Sequence, residues 1–153
     1  SAGVLDDTEV VSLAAATGGR VVSTTLQLGH RVPAYCTANG RVLLAARPPE
    51  ALDAWLARRE VQQGLRACTP RTLTQPDALR EELVRERSQG HALVDQEMEL
   101  GLRTLAVPLR NHRGEVVAAL NVSALAARVS LEVLRERFLP ILLEAQQRLR
   151  PLL

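Results

Sequence analysis

The chain has 153 residues, of which 46% are apolar and 24% are charged, and its formal net charge is +2. This length and apolar content suit a single domain with a buried core, and they exclude a disordered tail or a fibrous protein. Charged residues or glycines interrupt every apolar run before the roughly 18 residues of a membrane helix, and no signal peptide is recognisable. We therefore expect a cytoplasmic protein with no membrane partner.

All 19 basic residues are arginines. A chain without lysine has no amine for a Schiff base or a P-loop phosphate site. The arginines are interspersed with acidic residues instead of forming one basic face, and the aromatic residues are only Tyr35, Trp55 and Phe138. We therefore expect no direct contact between this chain and nucleic acid.

The N-terminal part reads as strands joined by tight turns. Strands are predicted over Ser1–Leu5 and Glu9–Ala15, with a turn at residues 6–8. A second turn at Thr17-Gly18-Gly19 leads into a further strand over Val21–Leu28. A domain seldom begins on a bare strand, so we expect another segment to precede this one.

The middle of the chain alternates loops and short helices. Residues 29–33 are predicted as a loop, and a helix is predicted from Thr37 until Pro48-Pro49 stops it. A second short helix begins at Pro49 and runs through Trp55 to Arg59, before an irregular segment over Gln62–Pro70.

The C-terminal half contains a capped helix, a hairpin and a long last helix. Thr74 as cap, with Pro76 in the first turn and Gly90 as terminator, predicts the first helix, with Leu79 and Leu83 on its buried side. Strands over Thr104–Arg110 and Glu115–Ser123 flank a hairpin loop. The last helix spans Ser130–Leu149, and Pro140 should kink or split it. Its predicted apolar stripe is Leu134, Phe138, Ile141, Leu142, Ala145 and Leu149. This order predicts an α+β domain around an antiparallel sheet.

The second hairpin strand changes character along one face. One predicted face is apolar throughout, and its residues are Val116, Ala118, Leu120 and Val122. The other begins apolar and ends at Asn121 and Ser123. Either this end of the strand reaches water, or the two polar side chains line a cavity and bind a ligand.

Two other features suit an anionic ligand. Gly101 followed by Arg103 presents a guanidinium that matches a carboxylate bidentately, although an ordinary ion pair with Glu97 or Glu99 is equally compatible. The turn at residues 37–40 opens a helix, and unpaired amides at a helix start attract carboxylates. Plain capping by Thr37 is the alternative.

Metal and thiol chemistry have weaker support. Asp95, Glu97 and Glu99 share a face if extended, but carboxylates with no histidine at ligand spacing make a poor transition-metal site, so neither a metal nor a cofactor is expected. Cys36 stands near a helix start, where a thiolate could be nucleophilic. No histidine is fixed beside it, and a small packing residue is the favoured interpretation.

Four segments together resemble the C-terminal domain of IclR-type transcription regulators. They are residues 32–45 (VPAYCTANGRVLLA), residues 90–97 (GHA followed by DQE), residues 101–108 (GLRTLAVP) and residues 114–123 (GEVVAALNVS). Their order and spacing match over nearly the whole chain. The forms PAYCT, GLRTLAVP and AALNVS are most similar to the subgroup that senses protocatechuate or 4-hydroxybenzoate.

This resemblance implies a GAF-like effector-binding domain over residues 1–153, in which helices pack around a curved antiparallel sheet. It implies that a winged helix-turn-helix domain, absent from this chain, makes the DNA contacts, and that the protein forms dimers or tetramers. By position in the family, the backbone of Ala38 and Asn39 forms the carboxylate cradle. Leu102 and Thr104 match wall and hydrogen-bonding positions, and Asn121 and Ser123 match polar positions on the sheet floor. Family members that sense small keto acids commonly have Ser at the position of Asn121 and an acid at the position of Val94. These two differences favour a larger, flatter ligand.

The resulting hypothesis is a sensor of a small organic acid, most simply an aromatic carboxylate, and not an enzyme. We add Tyr35 as a wall of the site and Arg103 as a ligand contact on chemical grounds. Two alternatives remain open at this stage: a GAF-like thiol enzyme that uses Cys36, and a dimerisation module that binds no ligand.

Overall fold

The computed structural model describes residues 1–16 and 28–153. Within them, six strands form one antiparallel sheet in the order β3-β2-β1-β6-β5-β4. The strands are β1 (Ala2–Asp6), β2 (Glu9–Ala14), β3 (Arg31–Pro33), β4 (Ala92–Asp95), β5 (Leu102–Arg110) and β6 (Val116–Leu125). The predicted α+β class and curved antiparallel sheet are confirmed. The turn predicted at Thr17–Gly19 and the strand predicted from Val21 lie outside the described residues.

Helices cover both faces of this sheet. They are α1 (Ala38–Ala45), α2 (Pro49–Leu56), α3 (Arg59–Gln62), α4 (Pro76–Gln89), α5 (Leu131–Val133) and α6 (Leu139–Leu149). Helix α1 lies across β1, β4, β5 and β6 on one face, with α4 behind it, and α6 packs against β5 and β6 on the other. The sheet thus has a core on each face, one under α1 (the α1-side core) and one under α6 (the α6-side core). Because side chains alternate along a strand, neighbouring residues of β5 enter different cores: Ala106 packs in the α1-side core and Leu105 in the α6-side core.

Two short edge strands were not predicted. Residues 29–33 were expected to be a loop, but Val32 pairs with Val10, and β3 ends at Pro33, a residue tolerated at a sheet edge. Strand β4 was also missed, although Ala92 and Val94 are buried on the α1 side. Strands of three or four residues carry too little alternation to stand out in a sequence.

A β-bulge changes the predicted faces of β6. Arg110 pairs with Val116 while Leu109 pairs with Ala118, so Val117 is the extra residue. Val116 therefore packs in the α1-side core, whereas Leu120 and Val122 pack in the α6-side core. The prediction that Val116 shares a face with Leu120 was wrong because it assumed unbroken alternation.

The predicted helix ends need two corrections. The helix from Pro49 stops at Leu56, and a separate turn begins at Arg59. The N-cap of α4 is Gln75 rather than Thr74, and Gly90 ends that helix in the left-handed conformation. Pro140 does interrupt the last helix. A π-helical turn spans Leu134–Phe138, and Pro140 lies just after it, in the first turn of α6.

The apolar stripe of the last helix is only partly buried. Leu134 and Leu142 lie in the α6-side core, but Ile141 is 62% exposed. Phe138, Ala145 and Leu149 are half-buried, so Ile141 is the member of the predicted stripe that faces away from the sheet.

Candidate functional site

One cavity of about 290 Å³ opens between the start of α1 and the sheet. We call it the α1 cavity. Its lining residues are Ser1, Ala2, Val10, Ser12, His30, Val32, Cys36, Thr37, Ala38, Asn39, Val94, Met98, Glu99, Leu102, Thr104 and Asn121. Apolar walls with a few polar groups are typical of small-molecule sites, and this volume is at the lower end of their range of about 300–1,000 Å³.

The start of α1 contributes backbone amides to the cavity. Thr37 is extended at the N-cap, but its side chain does not cap the helix; its Oγ1 donates to the carbonyl oxygen of Pro33 at 2.7 Å. The first intrahelical bond runs from the amide of Arg41 to the carbonyl of Thr37. The amides of residues 38–40 therefore have no acceptor within the helix, and two of these residues, Ala38 and Asn39, line the cavity. Free amides at a helix start suit an anion.

No arginine lines the cavity within the described residues. His30 and Glu99 lie at its wall, and both are exposed. A bound carboxylate would therefore depend on the α1 amides and the helix dipole for its neutralisation.

Asn39 and Asn121 form the polar floor of the cavity. Asn39 Nδ2 donates to Asn121 Oδ1 at 3.3 Å, and Ser1 Oγ donates to the same oxygen at 2.5 Å. Asn121 Nδ2 in turn donates to Ser123 Oγ at 3.4 Å. These bonds hold both amides in fixed orientations beside the start of α1.

Five of the eight predicted site residues line this one cavity. They are Ala38, Asn39, Leu102, Thr104 and Asn121. The sheet explains why: β5 and β6 pair so that Ala106 stands opposite Asn121, and Thr104 lies two residues along on the same face. Helix α1 crosses these strands and brings Asn39 above them.

The structure places the other three predicted residues outside the cavity lining. Tyr35 is buried in the α1-side core and its hydroxyl donates to the carbonyl oxygen of Arg66 at 2.7 Å. Ser123 is exposed and accepts its bond from Asn121. Tyr35 is thus bonded away from the cavity, and Ser123 contacts the cavity only through Asn121.

Arg103 also points away from the cavity. Its Nε donates to Asp95 Oδ1 at 2.7 Å, and its Nη1 donates to the carbonyl oxygens of Val129 at 2.9 Å and Ala126 at 3.3 Å. An ion pair was one of the two interpretations of this residue, but the expected partners Glu97 and Glu99 were wrong. Asp95 is the partner because β4 and β5 pair Asp95 directly with Arg103.

Sequence reasoning missed several wall residues. Val10, Ser12 and Val32 come from β2 and β3, and Met98 from the loop after β4. One signal was available, because Val10 and Ser12 are two residues apart on a predicted strand and so share a face. Nothing in the sequence indicated that this face is the one covered by α1.

The three acidic residues at spacing two do not form a cluster. Asp95 pairs with Arg103 and Arg71, Glu97 pairs with Arg41, and Glu99 lies at the cavity wall. Within residues 1–16 and 28–153, no three His, Cys, Asp or Glu side chains come close enough together to hold a metal ion.

Cys36 has the surroundings of a packing residue. Its side chain is buried, and its Sγ lies 3.6 Å from Met98 Sδ. Burial, followed by the neighbouring Cys68 thiol, raises the pKa of Cys36 to about 12. A thiol with such a pKa is almost fully protonated at neutral pH, so the geometry disfavours the thiol-enzyme alternative.

Among the described residues, no helix is long and apolar enough to span a membrane.

The chain is similar to bacterial transcription regulators. The family model described as "Bacterial transcriptional regulator IclR C-terminal" matches residues 1–150. The "Pca regulon regulatory protein" of Pseudomonas putida is 47% identical over 132 residues, which are 86% of this chain and 44% of that protein. The "p-hydroxybenzoate hydroxylase transcriptional activator" of Acinetobacter baylyi is 35% identical over 154 residues, covering 97% of this chain and 55% of that protein.

A solved structure shares the fold. The inducer-binding domain of a double mutant of the PobR transcription factor from Acinetobacter, in complex with 3-hydroxybenzoic acid, matches with a TM-score of 0.89 and 34% identity. The match covers all of this chain and 87% of that one. The chain spans about half the length of the curated relatives it matches. It belongs to the IclR C-terminal domain family of bacterial transcriptional regulators.

Proposed function

We propose that this domain binds a hydroxybenzoate-type aromatic acid in the α1 cavity, as the effector of a transcriptional regulator. The observation that carries the proposal is the convergence of the α1 amides, Asn39, Thr104 and Asn121 on one small, largely apolar cavity. The likeness to an inducer-binding domain in complex with 3-hydroxybenzoic acid supports this ligand class.

The proposed pose follows from the charge of the cavity wall. The carboxylate of the ligand lies at the amides of residues 38–40, which supply hydrogen-bond donors and the positive end of the helix dipole. The ring lies against Val10, Val32 and Leu102, and polar substituents bond to Thr104 and Asn121. Tyr35, Arg103 and Ser123 support the surrounding structure in this pose and do not touch the ligand.

At the level of the whole protein, we propose that the effector controls DNA binding by a separate domain of a longer chain that acts in the cytoplasm as a dimer or tetramer. The curated relatives are about twice as long as this chain, which leaves room for such a domain. The effector acts by binding one arrangement of the protomers more tightly than another, which changes the spacing of two DNA-binding domains.

Isothermal titration calorimetry on this domain tests the ligand. We expect 3-hydroxybenzoate, 4-hydroxybenzoate or protocatechuate to bind, and a keto acid such as glyoxylate to bind much more weakly. Thr104→Val and Asn121→Ala should each weaken the best ligand by about fivefold, since each removes one hydrogen bond of about 1 kcal/mol. Ser88→Ala is the matched control, because Ser88 is an exposed residue of α4 that does not line the cavity, and it should change affinity less than twofold. Unchanged affinity in both cavity variants would place the ligand elsewhere.

A further inference from the structure

Two buried polar atoms of the α1 cavity have no hydrogen-bond partner among the described residues. They are Ser12 Oγ and Asn39 Oδ1. Both residues line the cavity, and Asn39 is only 9% exposed. Buried polar atoms in native proteins are nearly always paired, so two unpaired atoms in one cavity indicate that a group from outside the chain meets them.

The two atoms lie on either side of Gly3. Ser12 is the direct partner of Gly3 in the β1–β2 pairing, and directly opposed residues point to the same face of a sheet. A Cβ built on Gly3 would lie 3.4 Å from Asn39 Nδ2, so the Asn39 amide stands over the bare backbone at this point. Ser12 and Asn39 therefore both lie close to Gly3 on the α1 side of the sheet, where Val10 Cγ1 packs 2.7 Å from the same Cβ position.

The hydrogen-bond roles of the two atoms are complementary. Asn39 Nδ2 already donates to Asn121 Oδ1, so Asn39 Oδ1 remains as an acceptor. Ser12 can donate through its hydroxyl. A ligand hydroxyl satisfies both atoms at once, because it donates to Asn39 Oδ1 and accepts from Ser12. A carboxylate has no proton to give to Asn39 Oδ1, and the α1 amides offer it a better position.

We propose that Ser12 and Asn39 form a hydroxyl-recognition pair that selects hydroxylated aromatic acids over acids without the hydroxyl. Ser12 is the specificity-determining residue, because its hydroxyl meets only this group of the ligand. This inference rests on the proposed function, since it requires an aromatic acid in the α1 cavity.

The test compares each hydroxybenzoate with its fluorobenzoate, in which fluorine replaces the hydroxyl at the same ring position and donates no hydrogen bond. Wild type, Ser12→Ala and the matched control Ser88→Ala are titrated by calorimetry with the 3- and 4-substituted pairs. For at least one ring position, Ser12→Ala should weaken the hydroxybenzoate about tenfold and change the fluorobenzoate less than twofold. Ser88→Ala should leave the affinity for both ligands unchanged. Thermal unfolding of each variant shows that the compared proteins are folded.

The outcomes separate the two proposals. If wild type binds hydroxybenzoates but Ser12→Ala weakens both members of each pair equally, or neither, the hydroxyl-recognition pair is wrong while the proposed function stands. If wild type binds none of the four acids, the proposed function fails and this inference fails with it.

Discussion

The guanidinium of Arg41 in α1 lies 2.6 Å from the carboxylate of Glu97, measured from Nη2 to Oε1, and both side chains are buried. Arg41 Nε also donates to the carbonyl oxygen of Tyr35 at 2.6 Å, and the same Glu97 oxygen accepts from the amide of Leu73 at 3.0 Å. Glu97 directly precedes Met98 and Glu99, which line the α1 cavity. The ion pair thus fixes one wall of the cavity against the helix that forms another.

Arg41→Met should lower the free energy of unfolding by about 3–5 kcal/mol, because it leaves Glu97 as a buried carboxylate without its cation. Arg85→Met is the control, since Arg85 is 60% exposed and pairs with Glu82 within one helix, where about 0.5 kcal/mol is typical. Urea denaturation measures both. Equal losses of unfolding free energy in the two variants would show that the buried ion pair stabilises the fold no more than the exposed one.

Glu86 makes the stability depend on pH. Its carboxyl is fully buried 3.4 Å from Arg41, and burial raises its pKa from 4.5 to about 8. The unfolded chain therefore loses this proton at lower pH than the folded one. The contribution of Glu86 is fully present below about pH 4.5 and is lost as the pH rises to about 8.

Glu86→Gln keeps the shape and removes this titration. We expect the difference in unfolding free energy between Glu86→Gln and wild type to shift by several kcal/mol in favour of the variant between pH 4.5 and pH 8. Urea denaturation at a series of pH values gives this difference directly. A difference that does not change with pH would mean that Glu86 titrates normally in the folded state.

Gly40 allows α1 to contact the chain that precedes it. A Cβ at this position would overlap the backbone of Ala34. We expect Gly40→Ala to cost about 3 kcal/mol or more, since the overlap is with backbone that cannot rotate away. Gly114→Ala meets open space and has only its φ of +83° to oppose it, at a cost of about 1–2 kcal/mol. Thermal unfolding that ranks Gly114→Ala as the more damaging change would contradict this account.

Arg103 should affect folding rather than ligand binding. Arg103→Met removes bonds to Asp95 and to two carbonyl oxygens, at an expected cost of about 2 kcal/mol. Arg71→Met removes a more exposed bond to the same carboxylate and should cost less than about 1 kcal/mol. At a temperature where both variants are folded, calorimetry should give hydroxybenzoate affinities within twofold of wild type. A tenfold loss for Arg103→Met alone would return this residue to the binding site.

The sequence was most informative where local chemistry decides the structure. Pro76 and Gly90 bracket α4, the loop at residues 111–114 joins β5 to β6, and Pro140 marks the break in the last helix. These features depend on residues close together in the chain. The same is true of Asn121 and Ser123, which strand alternation predicts on one face. Thr104 was predicted from the family resemblance, and the β5–β6 pairing brings it to the face of Asn121.

The features that were not predicted depend on residues far apart in the sequence. The bulge at Val117 shifts a register that alternation alone cannot show, and Arg103 turns toward Asp95 because of a strand pairing that was not predicted. Ser12 lines the cavity because α1 lies over β2, which the sequence does not show. Each of these three features depends on which strands and helices become neighbours, and the residue types alone do not indicate those neighbours.

The reliance of the α1 cavity on backbone amides and uncharged side chains has an evolutionary consequence. In the proposed pose, selectivity between acids depends on neutral positions such as Ser12 or Thr104, and substitutions there leave the net charge of the domain and the start of α1 unchanged. Under this proposal, a single substitution can change the inducer while the amides of α1 still bind its carboxylate.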